Sequence, residues 1–367
     1  MLKPTPRGLA AVVCTMTVAL LGTACGSDDD DSSGNASSQE GNAVVDEATA
    51  NVEALANPED FTVEPLSGPV PAGKVVAQVN CTIPQCSPGA MEEPLEALGW
   101  TLERFDYDLT KGAQDYLRAV DAAIDSSPDF LAINVFGSPD LITRQLERAK
   151  AEGIPVIGNG VEFVDGFVFM TGTPESFDAT GAYLADMAID DAGGPVNAGF
   201  VVDPTITAIV NAAVGAENRL AEVEGSSVDR IELSFAQPQA ANVSTIMNYL
   251  TANPDTEYLM FPGTAFYVGL DQALRAAGLT DKVKLLLAFP FGQDIDSIQD
   301  GQWFGVLASE STFEWRQVDA MARLTIGDPI DDPAPVNEFR LLTAENATLE
   351  LYNPPGYTEA FLEAWGV

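Results

Sequence analysis

Cys81 and Cys86 stand five positions apart in Cys81-Thr82-Ile83-Pro84-Gln85-Cys86, a spacing that limits their chemistry. It is not the Cys-x-x-Cys interval of redox motifs, and two ligands are too few for a structural metal site. In an oxidising compartment the pair predicts a disulfide closing a small loop around the proline. The chain has no histidine, which removes Ser-His-Asp and Cys-His nucleophile pairs, His-ligated zinc and imidazole acid-base chemistry. Two-carboxylate hydrolysis survives, because it needs only Asp or Glu about 5 to 9.5 Å apart across a pocket. Asp203 and Glu310 lie in separate segments and no catalytic motif surrounds them. No enzyme, catalytic residue, metal or cofactor is therefore expected.

The first 25 residues bear on the compartment. Lys3 and Arg7 precede the uncharged run Gly8 to Leu21, which leads through Gly22-Thr23-Ala24 into Cys25. That is a secretory signal pattern. The run is too short to cross roughly 30 Å of hydrocarbon, and Asp28 to Asp31 follow it instead of a second apolar stretch. Leu21-Gly22-Thr23-Ala24-Cys25 resembles a bacterial lipobox, departing at Gly22, where that pattern usually has Leu. The resemblance implies a lipoprotein signal peptide over 1–24 and lipidation of Cys25. The protein would then be extracytoplasmic, anchored to the outer face of the cell membrane through its acyl chains. The alternative is plain secretion after Ala24, with Cys25 left as a free thiol.

Composition fits an exported globular protein. The 367 residues are 46% hydrophobic, enough for a large core divided between two lobes. Net charge is −38, and Lys3 and Arg7 leave with the signal. Nucleic acid is excluded as a partner, because binding phosphates needs a basic surface.

The elements that must position any site begin after about residue 72. From Gly26 to Ala72 the chain is rich in Asp, Ser, Gly, Asn and Glu, and reads as a flexible acidic tether over 25–72, weakly helical at Val44 to Leu55. As coil, about 45 such residues reach roughly 35 to 40 Å. Beyond it, short apolar runs alternate with amphipathic helices: strand Lys74 to Asn80, helix Met91 to Leu98, strand Thr101 to Tyr107, helix Gln114 to Ile124, strand Phe130 to Val135. The rhythm repeats from Ser176 to Phe289 and ends in helix Thr312 to Thr325, strand Glu338 to Leu342 and helix Tyr357 to Trp365. Strand, helix, strand at this spacing predicts an α/β fold of two doubly wound parallel-sheet lobes with right-handed crossovers.

The segments Lys74-Val75-Val76-Ala77-Gln78-Val79-Asn80, Asp129-Phe130-Leu131-Ala132-Ile133-Asn134, Ala149 to Ile157 and Val268 to Gly278 together resemble the ribose/galactose type of the type I periplasmic binding proteins. The resemblance spans about residues 74 to 345. It implies two lobes joined by three crossover strands, near Thr171 to Thr173, Ser309 to Ser311 and Arg340 to Leu342. The N-terminal lobe would be 73–172 plus 311–341, and the C-terminal lobe 173–310 plus 342–367. It implies the substrate-binding component of an ABC importer, a monomer that encloses a small-molecule solute by hinge closure and presents it to a permease. A receptor reporting to a membrane signalling protein shares the same fold. Repressors of the ribose-repressor type do too, but here a helix-turn-helix is missing and an export signal is present.

Open parallel sheets bind ligands at the carboxyl ends of their strands. That rule nominates Asn80, Gln85, Phe136, Asn159, Asp203, Thr205, Thr264, Phe266, Phe291 and Glu310 as ligand-binding, with Trp315 as a further ring. Asn159-Gly160 stands where sugar binders of this type commonly carry Asp-Arg, Pro262-Gly263 where they have Asn or Asp, and Phe289-Pro290-Phe291 for Phe-Asp-Gly. Apart from Arg316, no Arg or Lys is expected near the cleft, so an anionic ligand would lack its fork. A small neutral ligand, a sugar or polyol, is expected; an amine held by aromatic rings and Glu310 is the alternative. The Cys81 to Cys86 loop either stiffens one cleft wall or only braces an exposed loop.

Overall fold

The computed structural model describes residues 34–82, 91–108, 111–134, 138–160, 162–234, 237–263, 266–290, 293–301, 303–309, 311–348 and 352–367. The apolar runs become the strands of two sheets. In the first, β1 (Val75–Cys81), β2 (Thr101–Tyr107), β3 (Phe130–Asn134), β4 (Val156–Asn159) and β5 (Phe167–Thr171) lie parallel in the order β2-β1-β3-β4-β5. In the second, β6 (Asn197–Val202), β7 (Ser227–Glu232), β8 (Tyr258–Phe261), β9 (Lys284–Ala288), β10 (Trp303–Ala308) and β11 (Phe339–Leu342) take the order β11-β10-β9-β8-β6-β7, with β11 antiparallel to β10. This is the expected pair of α/β lobes.

Strands buried on both faces are apolar on both faces over most of their length, and β3 is so up to Asn134, β1 but for Gln78 and Asn80. Ala77, Val79, Leu131 and Ile133 pack with Tyr116 and Val120 of α3 (Ala113–Asp125) and Leu146 of α4 (Thr143–Glu152). On the other face Val76, Phe130, Ala132, Ile157 and Phe169 meet Leu95 of α2 (Glu92–Ala97), Val318 and Met321 of α10 (Ser311–Ile326), and Phe361 and Trp365 of α11 (Tyr357–Trp365). In the second lobe α5 (Pro174–Ala192) crosses α6 (Thr207–Leu220) with backbones in contact. A Cβ on Gly181 would stand 1.7 Å from the Ala212 carbonyl oxygen, and one on Gly215 2.0 Å from that of Asp178. Helices α7 (Gln239–Ala252), α8 (Leu270–Ala277) and α9 (Gln293–Gln299) add Ile246, Leu274 and Ile298 to the same core.

The expected tether is, from Gly34 on, a built part of both lobes. Helix α1 (Gly34–Ala56) turns Val44, Val45, Ala48, Val52 and Leu55 along one stripe, and Ala48 and Leu55 are buried in the core of the second lobe. Thr49 Oγ1 donates to Asp190 (2.6 Å) and Asn51 Nδ2 to Asp186 (2.8 Å), both on α5. Asp186 is 1% exposed and also accepts from Arg219 Nε of α6 at 2.5 Å. Burial raises the Asp186 pKa, against the bonds from Arg219 and Asn51. Past α1, Phe61, Val63, Leu66 and Val70 pack on the first lobe, where the Leu66 amide donates to Ala364 O (2.9 Å) and Trp100 Nε1 to Pro71 O (2.9 Å).

The three expected crossings are present. The first separates Thr171 of β5 from Pro174 of α5, and the second Ala308 of β10 from Ser311 of α10. The third lies upstream of its expected position: Pro333 still accepts from Met170 of β5 (2.8 Å), while Glu338 accepts from Ser309 (2.8 Å). Two further passes join the lobes, at 57–60 after α1 and at 353–356 before α11. Helix α11, expected in the C-terminal lobe, sits in the N-terminal one because Trp365 stacks on Trp315 (5.4 Å between centroids) and Phe361 meets Phe61 at a tilt (5.4 Å). Phe339 to Leu341 go the other way, taken into the second sheet by pairing with β10.

Candidate functional site

The carboxyl ends of the first sheet carry a polar row, and strand alternation explains it. Val76, Phe130, Ala132, Ile157 and Phe169 face α10. Residues of the same parity at the strand ends are Asn80, Asn134, Asn159 and Thr171, with Asp106 on β2 beyond Leu102. Register pairs Asn80 with Asp106, Asn134 with Asn159, and Asn159 with Thr171. The side chains bond along the row. Asn159 Nδ2 donates to Asn134 Oδ1 (3.5 Å), Thr171 Oγ1 to Asn159 Oδ1 (3.2 Å), and Gln317 Nε2 of α10 to Thr171 Oγ1 (2.8 Å).

Asn80 ends the row differently. Its Nδ2 donates to Asp106 Oδ1 at 2.9 Å, which fixes the amide and turns Oδ1 away. Among the described residues that oxygen is buried with no partner, as is Gln78 Oε1 two residues earlier on the same face. An unmet buried acceptor costs about 1–3 kcal/mol, so the wall is short of donors. Arg104, the cation nearest in sequence on β2, is already paired with Glu92.

Facing it are the carboxyl ends of the second sheet. Asp203, just past β6, is 2% exposed, and its Oδ1 accepts from the Thr205 amide (3.0 Å) and hydroxyl (2.6 Å) in a side-chain turn. Ser309 Oγ donates to Asn353 Oδ1 (3.1 Å). Asp294 in the first turn of α9 is 2% exposed beside Tyr267, whose pKa is raised by burial and then by Asp294. Phe266 is fully buried in the core of its own lobe, and Trp315 in that of the first, so packing accounts for both rings. Arg316 is bound to Glu338 (Nε to Oε1, 2.9 Å) and lies 5.2 Å from the centroid of Phe61.

Of the residues nominated from sequence, Asn80 and Asn159 come together in the row and Asp203 with Thr205 in one turn. Gln85, Phe136, Thr264, Phe291 and Glu310 lie outside the described residues, as do Cys25 and Cys86. Asn134, Thr171, Asp106, Gln317, Tyr267 and Asp294 were missed. Asn134 obeys the strand-end rule, whereas Gln317 reaches the row only through the placement of α10. A hollow of about 690 Å3 lined by Asn197, Asp255, Glu257 and Lys282 opens at the opposite, amino ends of the second sheet, away from this row. Among the described residues no helix is long and apolar enough to cross a membrane.

Solved structures share the fold. A glucose-galactose binding protein from Geobacillus stearothermophilus is 15% identical with a TM-score of 0.60, covering 75% of this chain and 99% of its own. An ABC transporter solute-binding protein from Burkholderia graminis, in complex with D-arabinose, is 15% identical with a TM-score of 0.63, covering 77% and 99%. A LacI-type transcriptional regulator from Bacteroides fragilis is 12% identical with a TM-score of 0.57, covering 75% and 98%. No curated protein sequence matches the chain. The periplasmic binding protein domain matches residues 89–325. With two parallel-sheet lobes meeting at their strand ends, the chain belongs to the periplasmic binding protein family, with the type I fold, whose members bind solutes and are not enzymes.

Proposed function

We propose that the protein is the extracytoplasmic solute-binding component of an ABC importer, holding a small hydroxyl-rich solute, a sugar or polyol, between its lobes. The observation that carries this reading is the buried Oδ1 of Asn80, without a partner among the described residues, at the end of a row of amides and hydroxyls. A solute hydroxyl supplies the missing donor, and its lone pairs accept from the amides beside it. Asn159 and Thr171 stand next along the row, with Asp203 and Thr205 across the cleft; Gln85, Phe136, Thr264, Phe291 and Glu310 remain nominated by sequence. The solute-binding proteins among the structural neighbours include ones with bound D-arabinose and D-allose, which supports the ligand class.

Closure of the lobes over the solute gives a membrane permease a shape to read. The protein acts as a monomer held at the membrane by lipidated Cys25. Cys81 is disulfide-bonded and buried at the end of β1, beside Asn80. The described residues hold no second cysteine, and Cys86 is the partner we propose.

The test is a thermal-shift screen of the full chain against sugars, polyols, amino acids, polyamines and nucleosides. A ligand at 100 times its Kd stabilises by about 2.7 kcal/mol. A sugar or polyol hit whose shift is lost in Asn80→Ala supports the proposal. A hit confined to amines or nucleosides, or one indifferent to Asn80, overturns the ligand class or the site.

A further inference from the structure

Arg340 is half-buried and lacks the acidic partner that most of the other described arginines have. The chain carries 17 Lys and Arg against 55 Asp and Glu, so acids are plentiful, and Arg219, Arg230, Arg316 and Arg323 are all paired. Among the described residues none forms an ion pair or hydrogen bond with the Arg340 guanidinium, and its Nε is buried with no acceptor. The side chain is nevertheless held. The guanidinium lies over the ring of Tyr352, 5.7 Å from the centroid, which leaves its N–H edge for a planar acceptor.

Its place is the carboxyl end of the second sheet. Arg340 is in register with Leu307, the residue before the last of β10. Asn353, next to Tyr352, accepts from Ser309 just past that strand. Phe339 meets Tyr183 of α5 (5.1 Å between ring centroids), so alternation turns Arg340 to the opposite face of β11. Arg316, the cation that sequence placed near the cleft, is spent on Glu338. Among the described residues at these strand ends, Arg340 is the guanidinium without such a partner.

We propose that Arg340 binds an acidic group of the ligand, so that the solute is a hydroxyl-rich carboxylic acid of the aldonic or uronic class. The inference rests on the sugar or polyol reading of the cleft and revises its charge. The wall of the first lobe, with Asn80 Oδ1 and the Asp106 carboxylate, takes hydroxyl donors and repels a carboxylate. Arg340 in the facing lobe supplies a fork that matches one. The two walls thereby orient the solute end to end.

The probes are galactose against galacturonate and glucose against gluconate, titrated by calorimetry into the full chain, Arg340→Gln and Arg340→Lys. An acid is expected to bind at least about tenfold more tightly than its neutral parent. Arg340→Gln should abolish that preference while keeping the neutral affinity, and Arg340→Lys should restore part of it. The preference should also shrink with added salt in the wild type. A neutral sugar binding as tightly as its acid, or a preference that survives Arg340→Gln, overturns the role of Arg340 and leaves the sugar site standing. Silence from all four probes, with hits only among amines or nucleosides in the wider screen, overturns both. Melting of the unliganded variants separates lost binding from lost fold.

Discussion

Arg316 of α10 donates its Nε to Glu338 Oε1 at 2.9 Å while its guanidinium lies over Phe61. One side chain of the first lobe thus grips both the third crossing and the pass that follows α1. Thr312 Oγ1 donates to the same carboxylate (2.8 Å), and the Asn337 amide to Ser176 Oγ (3.3 Å) beside the first crossing. Arg316→Ala is expected to loosen this junction and spare both lobes. With spin labels at Glu103→Cys and Glu232→Cys, exposed on β2 and β7, the interlobe distance distribution should broaden. An unchanged width would show that the junction does not set the spacing of the lobes.

Gly181→Ala should destabilise the second lobe, because its Cβ would stand 1.7 Å from the Ala212 carbonyl oxygen and two helix backbones must part to admit it. Overpacking costs about 1–3 kcal/mol or more. Urea denaturation reads the loss directly, and a midpoint equal to the wild type would contradict the close crossing of α5 and α6.

Arg219→Met leaves Asp186, 1% exposed, as a buried carboxylate without its main partner. Breaking one half of such a pair costs about 3–5 kcal/mol. The double variant Arg219→Met/Asp186→Leu should recover most of it, and a double-mutant cycle measures the coupling.

Phe266→Ala is expected to act on stability, costing about 3–5 kcal/mol as a core truncation, since the ring is fully buried. Chemical denaturation together with ligand titration decides the point. A stable Phe266→Ala protein with weakened binding would return the ring to the ligand wall.

Asp129 accepts from Lys74 Nζ (2.8 Å) and the Val75 amide (2.9 Å). Burial opposes its ionisation, but the two bonds prevail and hold its pKa below the ordinary 3.8. The folded pKa is depressed, so the contribution is present above about 3.8 and is lost as pH falls through the lower folded value. Asp129→Asn should be less stable than the wild type at pH 7, with the gap closing in acid. Denaturation midpoints across that range give the answer, and a gap independent of pH would exclude ionisation as its cause.

Regular elements were legible wherever local pattern and tertiary burial agree. The closing helix runs from Tyr357 to Trp365 as its periodicity predicts, and β2 from Thr101 to Tyr107 as its alternation does. Helix α1 was legible only as a weakly helical stretch at Val44 to Leu55 within a tether, and its docking on the second lobe was not. The helix is held by Asp186 and Asp190, 135 and 141 positions away from Asn51 and Thr49. No local window contains those partners. The same limit applies to the site. The strand-end rule finds Asn80 and Asn159 from position alone, but only packing reveals that Gln317 closes the row, that Phe266 faces its own core, or that Arg316 is committed to Glu338.

The docking of α1 also shortens the leash. Cys25 precedes Gly34 by nine residues, and a fully extended chain of that length spans about 30 Å. Whatever holds Cys25 therefore holds the start of α1 within that distance. The first lobe is joined to that anchored helix only through the second lobe and the described passes between the two.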